Sequence, residues 1–191
     1  MTGIFINYRT DDSGFAAALI DSRLRMEFGE DVIFRDCRSL RPATDFPPEL
    51  ERRLRESTVV LALIGPRWLV LTDTAGVRRI DSPKDYVRRE LRIALKQHKH
   101  VLPILLDNTS VPSAAQLPPD IAKLSNRQAM HLRGRHDRSD LDLLVTELAT
   151  HVPRVVANAG DSAGGTSSSA VYISGRDQTF HGPIAGRDIH G

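Results

Sequence analysis

The sequence predicts an α/β fold with a parallel sheet, because strand-like runs alternate with helical periods along most of the chain. Two runs, VVLALI at 59–64 and VLPILL at 101–106, are apolar without alternation. Such runs suit parallel strands that are covered on both faces. Up to about residue 153 the chain has the size of a flavodoxin-like sheet of five parallel strands with helices on both faces. A flexible linker and a short, β-prone C-terminal tail complete the prediction.

Five strands and four helices follow from the periodicity. The strands are predicted at 3–8, 31–36, 58–65, 100–106 and, from a weaker signal, 127–132. The helices are predicted at 12–28, 47–56, 84–97 and about 138–151, where apolar residues recur at helical spacing. Ligands of doubly wound sheets bind beyond the carboxyl ends of the strands. The loops at that edge are therefore the place to look for a functional site.

The composition changes after Pro153. We predict one domain over 1–153, a Gly/Ser/Ala linker over 154–170 that cannot bury a core, and a repeat-like tail over 171–191. The tail contains Gly-Arg-Asp twice and His-Gly twice, whereas a repeat array needs about three units. We expect the tail to order by pairing with copies of itself, with disorder in the monomer as the alternative.

Charge and composition exclude several classes of protein. The chain has 26 basic and 24 acidic residues, a net charge of +2, so neither nucleic acid nor a membrane surface is an expected partner. Its start lacks a basic leader, and no run approaches the ~20 apolar residues of a membrane span. The single cysteine, Cys37, can form no disulfide within the chain. We expect a cytoplasmic protein.

Metal and cofactor motifs are not evident in the sequence. His98 and His100 lie two residues apart near a strand start, and no His-x-x-x-His pair occurs, so no metal site is predicted. Neither Gly-x-Gly-x-x-Gly nor a Gly-Lys-Ser/Thr phosphate loop is present, which argues against a Rossmann oxidoreductase and a P-loop NTPase. No bound cofactor is expected.

Glu90 stands out on the predicted helix at 84–97. Its neighbours three and four residues away are all uncharged: Tyr86, Val87, Ile93 and Ala94. Asp85, by contrast, has Arg88 and Arg89 at those distances and lies in the first helical turn, where an acid is favoured. A carboxylate that borders the sheet beside an aromatic ring at the carboxyl edge is a candidate for a functional site. A solvated glutamate, or one paired with a basic residue from another element, is the alternative.

In five ordered segments the chain resembles a bacterial TIR (Toll/interleukin-1 receptor) domain: GIFINYRTDDSGFAAALIDSRL, VIFRDCRSLRPATDF, VVLALIGPRW, DYVRREL and HVLPILLD. The resemblance covers residue 3 to about residue 151 and implies the same five-stranded sheet. TIR domains divide into signalling adaptors and enzymes that cleave NAD+ at the nicotinamide–ribose bond. The enzymes share a Trp-x-x-x-Glu element on the helix after the third strand, and this chain has Tyr86 and Glu90 there.

The resemblance implies an NAD+ glycohydrolase with Glu90 as its catalytic carboxylate. Tyr86, in place of the tryptophan, would stack on nicotinamide or ribose. NAD+ would be a substrate, and the products would be nicotinamide and either ADP-ribose or a cyclic isomer. Two alternatives remain: a non-catalytic adaptor that acts through TIR–TIR contacts, and a nucleotide-binding sensor without turnover.

Further site residues are implied by the same resemblance. Arg9 would meet a phosphate or ribose, with a salt bridge to a nearby aspartate as the alternative: Asp11, Asp12 or Asp36. Trp68 would wall the nucleotide site, although a large aromatic there more often covers the sheet edge. Arg67 would meet a diphosphate, with solvent as the alternative.

Residues 37–46 match the BB loop of the family, which shapes the pocket and contacts neighbouring subunits. Many bacterial members have Pro-Gly in this loop, whereas here Arg41 and Pro42 are followed by Ala43. Phe46 would line the pocket, or alternatively pack in the core. Enzymatic members are commonly switched on by assembly, often in immunity to phage. The resemblance therefore implies self-association through TIR–TIR contacts, and the C-terminal tail is a second candidate contact.

Overall fold

The computed structural model describes residues 3–35, 48–134 and 136–155. Several predictions concern residues outside these ranges. They are the BB-loop assignment at 37–46 with Cys37, Arg41, Pro42, Ala43 and Phe46, the linker beyond residue 155, and the tail at 171–191. These stay predictions.

Each predicted strand and helix is present, with shifts of a few residues at the ends. The strands are β1 Ile4–Asn7, β2 Ile33–Arg35, β3 Val59–Ile64, β4 His100–Leu106 and β5 Met130–Leu132. The helices are α1 Thr10–Phe28, α2 Pro48–Glu56, α3 Tyr86–Lys96 and α4 Asp137–Leu148. The described residues also contain short 3-10 helices at Glu30–Val32, Arg79–Asp81, Ala114–Gln116 and Ala122–Asn126.

All five strands are parallel, in the order β2-β1-β3-β4-β5. This confirms the predicted flavodoxin-like sheet. The strand order reverses beside β1, which has β2 on one side and β3 on the other. Loops that leave β1 and β3 therefore diverge to opposite faces of the sheet, and the gap between them is the usual ligand-binding crevice of such sheets.

Alternate residues of β1 serve two separate cores. Ile4 and Ile6 pack in the cluster that includes buried residues of α1 and α4. Phe5 packs in the opposite cluster, with buried residues of α2 and α3. Because side chains alternate along a strand, the next residue on the face of Phe5 is Asn7. An amide is therefore presented to α3 at the carboxyl end of β1.

Helix α3 begins where its first backbone donors are satisfied. The Asp85 carboxylate accepts a hydrogen bond of 2.9 Å from the Arg88 backbone N–H, so Asp85 caps the helix rather than lying within its first turn. Val87, Leu91 and Leu95 recur every four residues and are buried against the sheet.

Helix α1, at 19 residues, is the longest of the helices that the structure describes, and acidic and basic side chains are distributed along it. Among the helices described, none combines the length and apolar character that crossing a bilayer requires.

Candidate functional site

Glu90 is held by a side chain from the first strand. Asn7 Nδ2 donates a hydrogen bond of 2.6 Å to Glu90 Oε2. Asn7 is fully buried, and Glu90 is 5 % exposed. The sequence shows no charged residue three or four positions from Glu90 on its own helix, and the structure supplies a hydrogen-bond partner from another element, the Asn7 amide. The contact lies at the carboxyl end of β1, where the strand order reverses.

The orientation of the Asn7 amide follows from its surroundings. Nδ2 also donates to the Val87 carbonyl oxygen, at 3.2 Å. Both neighbours are acceptors, so the nitrogen and not the oxygen must point toward α3. The amide thus joins the end of β1 to two positions on one turn of α3. Asn7 Oδ1 is buried and accepts no hydrogen bond from the part of the chain that the structure describes.

A buried ion pair lies next to this contact. Arg9 donates two hydrogen bonds to Asp85, from Nη1 to Oδ2 at 2.8 Å and from Nη2 to Oδ1 at 3.0 Å. The Arg9 side chain is completely buried and that of Asp85 is 4 % exposed. Such bidentate geometry offsets much of the cost of removing two charges from water. The salt-bridge alternative for Arg9 is thus realised with Asp85, which is not among the aspartates considered from the sequence; of those, Asp36 lies outside the described residues.

Trp68 packs against this ion pair. Its indole is 1 % exposed and belongs to the core between the sheet and helices α2 and α3. The Arg9 guanidinium carbon lies 5.7 Å from the centre of the Trp68 ring, within the range of a cation–π interaction. Covering the sheet is therefore the observed role of Trp68. A direct contact with a nucleotide stays a prediction.

Asp12 ties the loop after β3 to the start of α1. Its carboxylate accepts hydrogen bonds from the backbone N–H groups of Gly65, at 2.9 Å, and Arg67, at 2.7 Å. A Cβ atom on Gly65 would lie 2.5 Å from Asp12 Oδ2, so only glycine allows this approach. The loop after β3 and the start of α1, which border the crevice, are thereby held together.

Two further candidate site residues, Arg67 and Tyr86, lie at this edge and are at least partly exposed. Arg67 is exposed, and its Nη1 donates to the Asp11 carbonyl oxygen at 3.1 Å. Tyr86 is half-buried at the first position of α3, one turn before Glu90. The structure therefore brings Glu90, Arg9, Trp68 and Tyr86 to one end of the sheet. Three of the four are buried, and of these Arg9 pairs with Asp85, Trp68 packs in the core and Glu90 bonds Asn7.

Asn7 was missed by the sequence analysis although a signal for it exists. The alternation of β1 places Phe5, Asn7 and Arg9 on one face, and two of these three side chains are polar and buried. Polar residues that end a predicted strand on its core-facing side require partners from the next layer. Applied to GIFINYR, this rule would have selected Asn7 as a partner for a polar group of a covering helix.

Comparison with known proteins adds two findings. A family model described as the TIR domain matches residues 4–145. The TIR domains of the activated Roq1 resistosome that directly recognises the pathogen effector XopQ are similar in structure, with a TM-score of 0.52. That likeness covers 76 % of this chain and 98 % of the other, at 13 % sequence identity, so it concerns the fold alone. No curated protein sequence matches the chain.

Proposed function

The chain belongs to the TIR-domain family, and from this premise we propose that it is an NAD+ glycohydrolase with Glu90 as its catalytic carboxylate. The observation that carries the proposal is the 2.6 Å hydrogen bond from Asn7 to Glu90 at the reversal of strand order. A carboxylate that is buried and oriented at the ligand-binding edge of the sheet is a typical catalytic arrangement.

One carboxylate is sufficient for this reaction. When the bond between ribose C1′ and the pyridinium nitrogen breaks, its electron pair stays on nitrogen, and nicotinamide leaves as a neutral molecule. No general acid is needed, in contrast to ordinary glycosides, which use two carboxyl groups. The positive charge develops on the ribose, and a carboxylate beside it stabilises that charge. Water then attacks C1′ and loses a proton to give ADP-ribose, or a group of the same molecule attacks to give a cyclic isomer.

Asn7 gives the carboxylate its position. Its amide bonds both Glu90 and the Val87 carbonyl, so the carboxylate is fixed relative to β1 as well as to its own helix. Burial strengthens the interaction of that carboxylate with a developing cation, because little water screens it. Fixed groups that need no reorganisation during the reaction are the main source of electrostatic catalysis.

The exposure of the other candidate residues indicates which of them can contact the substrate. Tyr86 is half-buried one turn before Glu90, where its ring would stack on nicotinamide or ribose. Arg67 is exposed at the same edge and would meet the diphosphate. Arg9 is committed to Asp85 and stacked near Trp68, which favours a positioning role for this pair over direct contact with substrate.

Activation by self-association is part of the same proposal. The Roq1 TIR domains are described within an assembled resistosome, which is a property of that protein. For this chain we propose cytoplasmic TIR–TIR contacts as the switch, with the tail at 171–191 as a further self-association segment and anti-phage immunity as the setting.

Nicotinamide release from NAD+ by the purified full chain at high concentration tests the function. Glu90→Gln keeps an acceptor for Asn7 and removes the charge, so turnover should fall on the order of 100-fold or more while the protein stays folded. Glu30→Gln is the matched control, because its side chain is 83 % exposed and the same charge is lost. A chain ending after residue 156 measures what the tail contributes to activation.

The opposite result would favour the non-catalytic adaptor. If no nicotinamide is released even under crowding, or if Glu90→Gln cleaves NAD+ as fast as wild type, Glu90 is a structural acid. Tight NAD+ binding without turnover, unchanged in Glu90→Gln, would instead indicate a nucleotide sensor.

A further inference from the structure

The opposite edge of the sheet carries a cluster that the sequence does not reveal. We propose that His100, Glu147 and His151 form a binding site for a divalent transition-metal ion of the zinc type. One potential ligand atom from each residue lies within 4.8 Å of the other two. Two imidazoles and a carboxylate are a common set of zinc ligands.

The topology explains why three distant residues meet. His100 is the first residue of β4 and therefore lies at the amino edge of the sheet. Helix α4 follows β5 and runs back across the sheet, so its carboxyl end reaches that same edge. Glu147 is in its last turn, and His151 lies four residues later in a turn closed by a hydrogen bond of 2.9 Å from the His151 N–H to the Leu148 carbonyl.

The distances are near those of a metal site. His151 Nε2 lies 3.8 Å from Glu147 Oε1, which is too long for a hydrogen bond. With bonds of about 2.0–2.2 Å to zinc, neighbouring ligands of a tetrahedral site are roughly 3.4 Å apart. The two imidazole ring centres are 4.0 Å apart and tilted by 33°. To surround one ion, the ligand atoms, now within 4.8 Å of one another, would approach to roughly 3.4 Å by side-chain rotation.

A buried polar atom also points to a missing partner. His100 Nε2 is buried and makes no hydrogen bond to any residue that the structure describes. Buried nitrogen atoms normally have a partner, and a metal ion would supply one.

The site would have a structural role. The metal site lies at the amino edge of the sheet, whereas Glu90 lies at the carboxyl edge. NAD+ cleavage should therefore not depend on the bound ion. An ion bound there would fasten the end of α4 to the start of β4, next to buried Leu148 and Val152. The side chains of Glu147 and His151 are 45 % and 30 % exposed, which leaves an entry path and an open fourth position for water.

Calorimetric titration of the metal-free full chain with Zn²⁺ tests the site. Wild type should bind one Zn²⁺ that His151→Gln and Glu147→Gln bind at least about tenfold more weakly. His131→Gln is the matched control, because this exposed histidine on β5 is outside the cluster. Co²⁺ should give the intense visible absorption of a tetrahedral complex in wild type and His131→Gln only. Added Zn²⁺ should raise Tm in the same two proteins.

The proposal is overturned if wild type binds no Zn²⁺. It is equally overturned if both cluster variants keep the affinity and stoichiometry of wild type, because the ion would then be held elsewhere, for example by histidines of the tail. Nicotinamide release serves as an independent readout and should be unchanged in His151→Gln.

Discussion

Asn7 and Glu90 are 83 residues apart in the chain, yet the amide of one lies 2.6 Å from the carboxylate of the other. Both side chains are buried, one at the end of β1 and the other in the second turn of α3. The bond aligns two layers of the fold at the point where the strand order reverses. Removing this hydrogen bond should therefore lower both the rate of NAD+ cleavage and the stability of the fold, for two separate reasons.

Asn7→Ala should reduce NAD+ cleavage on the order of tenfold or more, because a misplaced carboxylate stabilises the developing cation less well. It should also lower the free energy of unfolding by about 1–3 kcal/mol, since Glu90 loses a buried donor. Rates of nicotinamide release and urea unfolding measure the two effects. Asn108→Ala, at an exposed asparagine, is the control. Full activity in Asn7→Ala would remove the positioning role from the proposed mechanism.

Arg9→Met should be strongly destabilising, because it removes the bidentate partner of the buried Asp85 carboxylate, which keeps only the Arg88 N–H and a longer contact of 3.9 Å with Arg79. Breaking a buried pair typically costs about 3–5 kcal/mol. The double variant Arg9→Met/Asp85→Asn should recover part of this loss, since the uncompensated charge is removed and Asn still caps a helix. Urea unfolding of the two single variants and the double variant gives the coupling energy. The control Arg92→Met, at an exposed position of α3, should keep a stability close to that of wild type. If the stability losses of the two single variants simply add in the double variant, the pairing of Arg9 with Asp85 is contradicted.

Gly65→Ala should destabilise the chain by about 1–3 kcal/mol, because the new methyl group would overlap the Asp12 carboxylate. Gly14→Ala is the matched substitution, and it should raise the free energy of unfolding instead of lowering it. Its Cβ would meet no atom closer than 3.8 Å, and alanine favours a helix over glycine by up to about 1 kcal/mol. Thermal unfolding compares the two. A neutral Gly65→Ala would mean that the loop after β3 moves freely relative to α1.

Asp140 makes part of the stability depend on pH. Hydrogen bonds from the Arg133 side chain lower the pKa of Asp140, with the Arg133 backbone N–H acting in the same direction and burial opposing. A lowered pKa in the folded state contributes stability that is complete above the unfolded value of about 3.9. This stability is lost as the pH falls through the folded pKa.

The free-energy difference between wild type and Asp140→Asn should therefore be constant near neutral pH and shrink below about pH 4. Urea unfolding along a pH series measures it. Asp31→Asn, at an exposed aspartate, controls for the loss of one negative charge. A difference that persists unchanged into strong acid would show that Asp140 acts through packing rather than charge.

Local patterns of the sequence were sufficient to predict the strands and helices and their order along the chain. Apolar runs such as VVLALI specify a strand covered on both faces, and helical spacing specifies α3, because both signals depend only on neighbours within a few residues. The lack of a charged residue three or four positions from Glu90 was visible for the same reason. These features together were enough to predict a doubly wound sheet and a carboxylate at its carboxyl edge.

Only the tertiary structure decided which polar side chains are paired with each other. The bonds from Asn7 to Glu90 and from Arg9 to Asp85 join positions 83 and 76 residues apart, and the cluster of His100, Glu147 and His151 joins a strand start to a helix end. Such contacts depend on strand order and on which face each helix covers, which local periodicity does not encode. A polar side chain satisfied across layers therefore appears unpaired in the sequence, and its partner is found only when the layers are packed together.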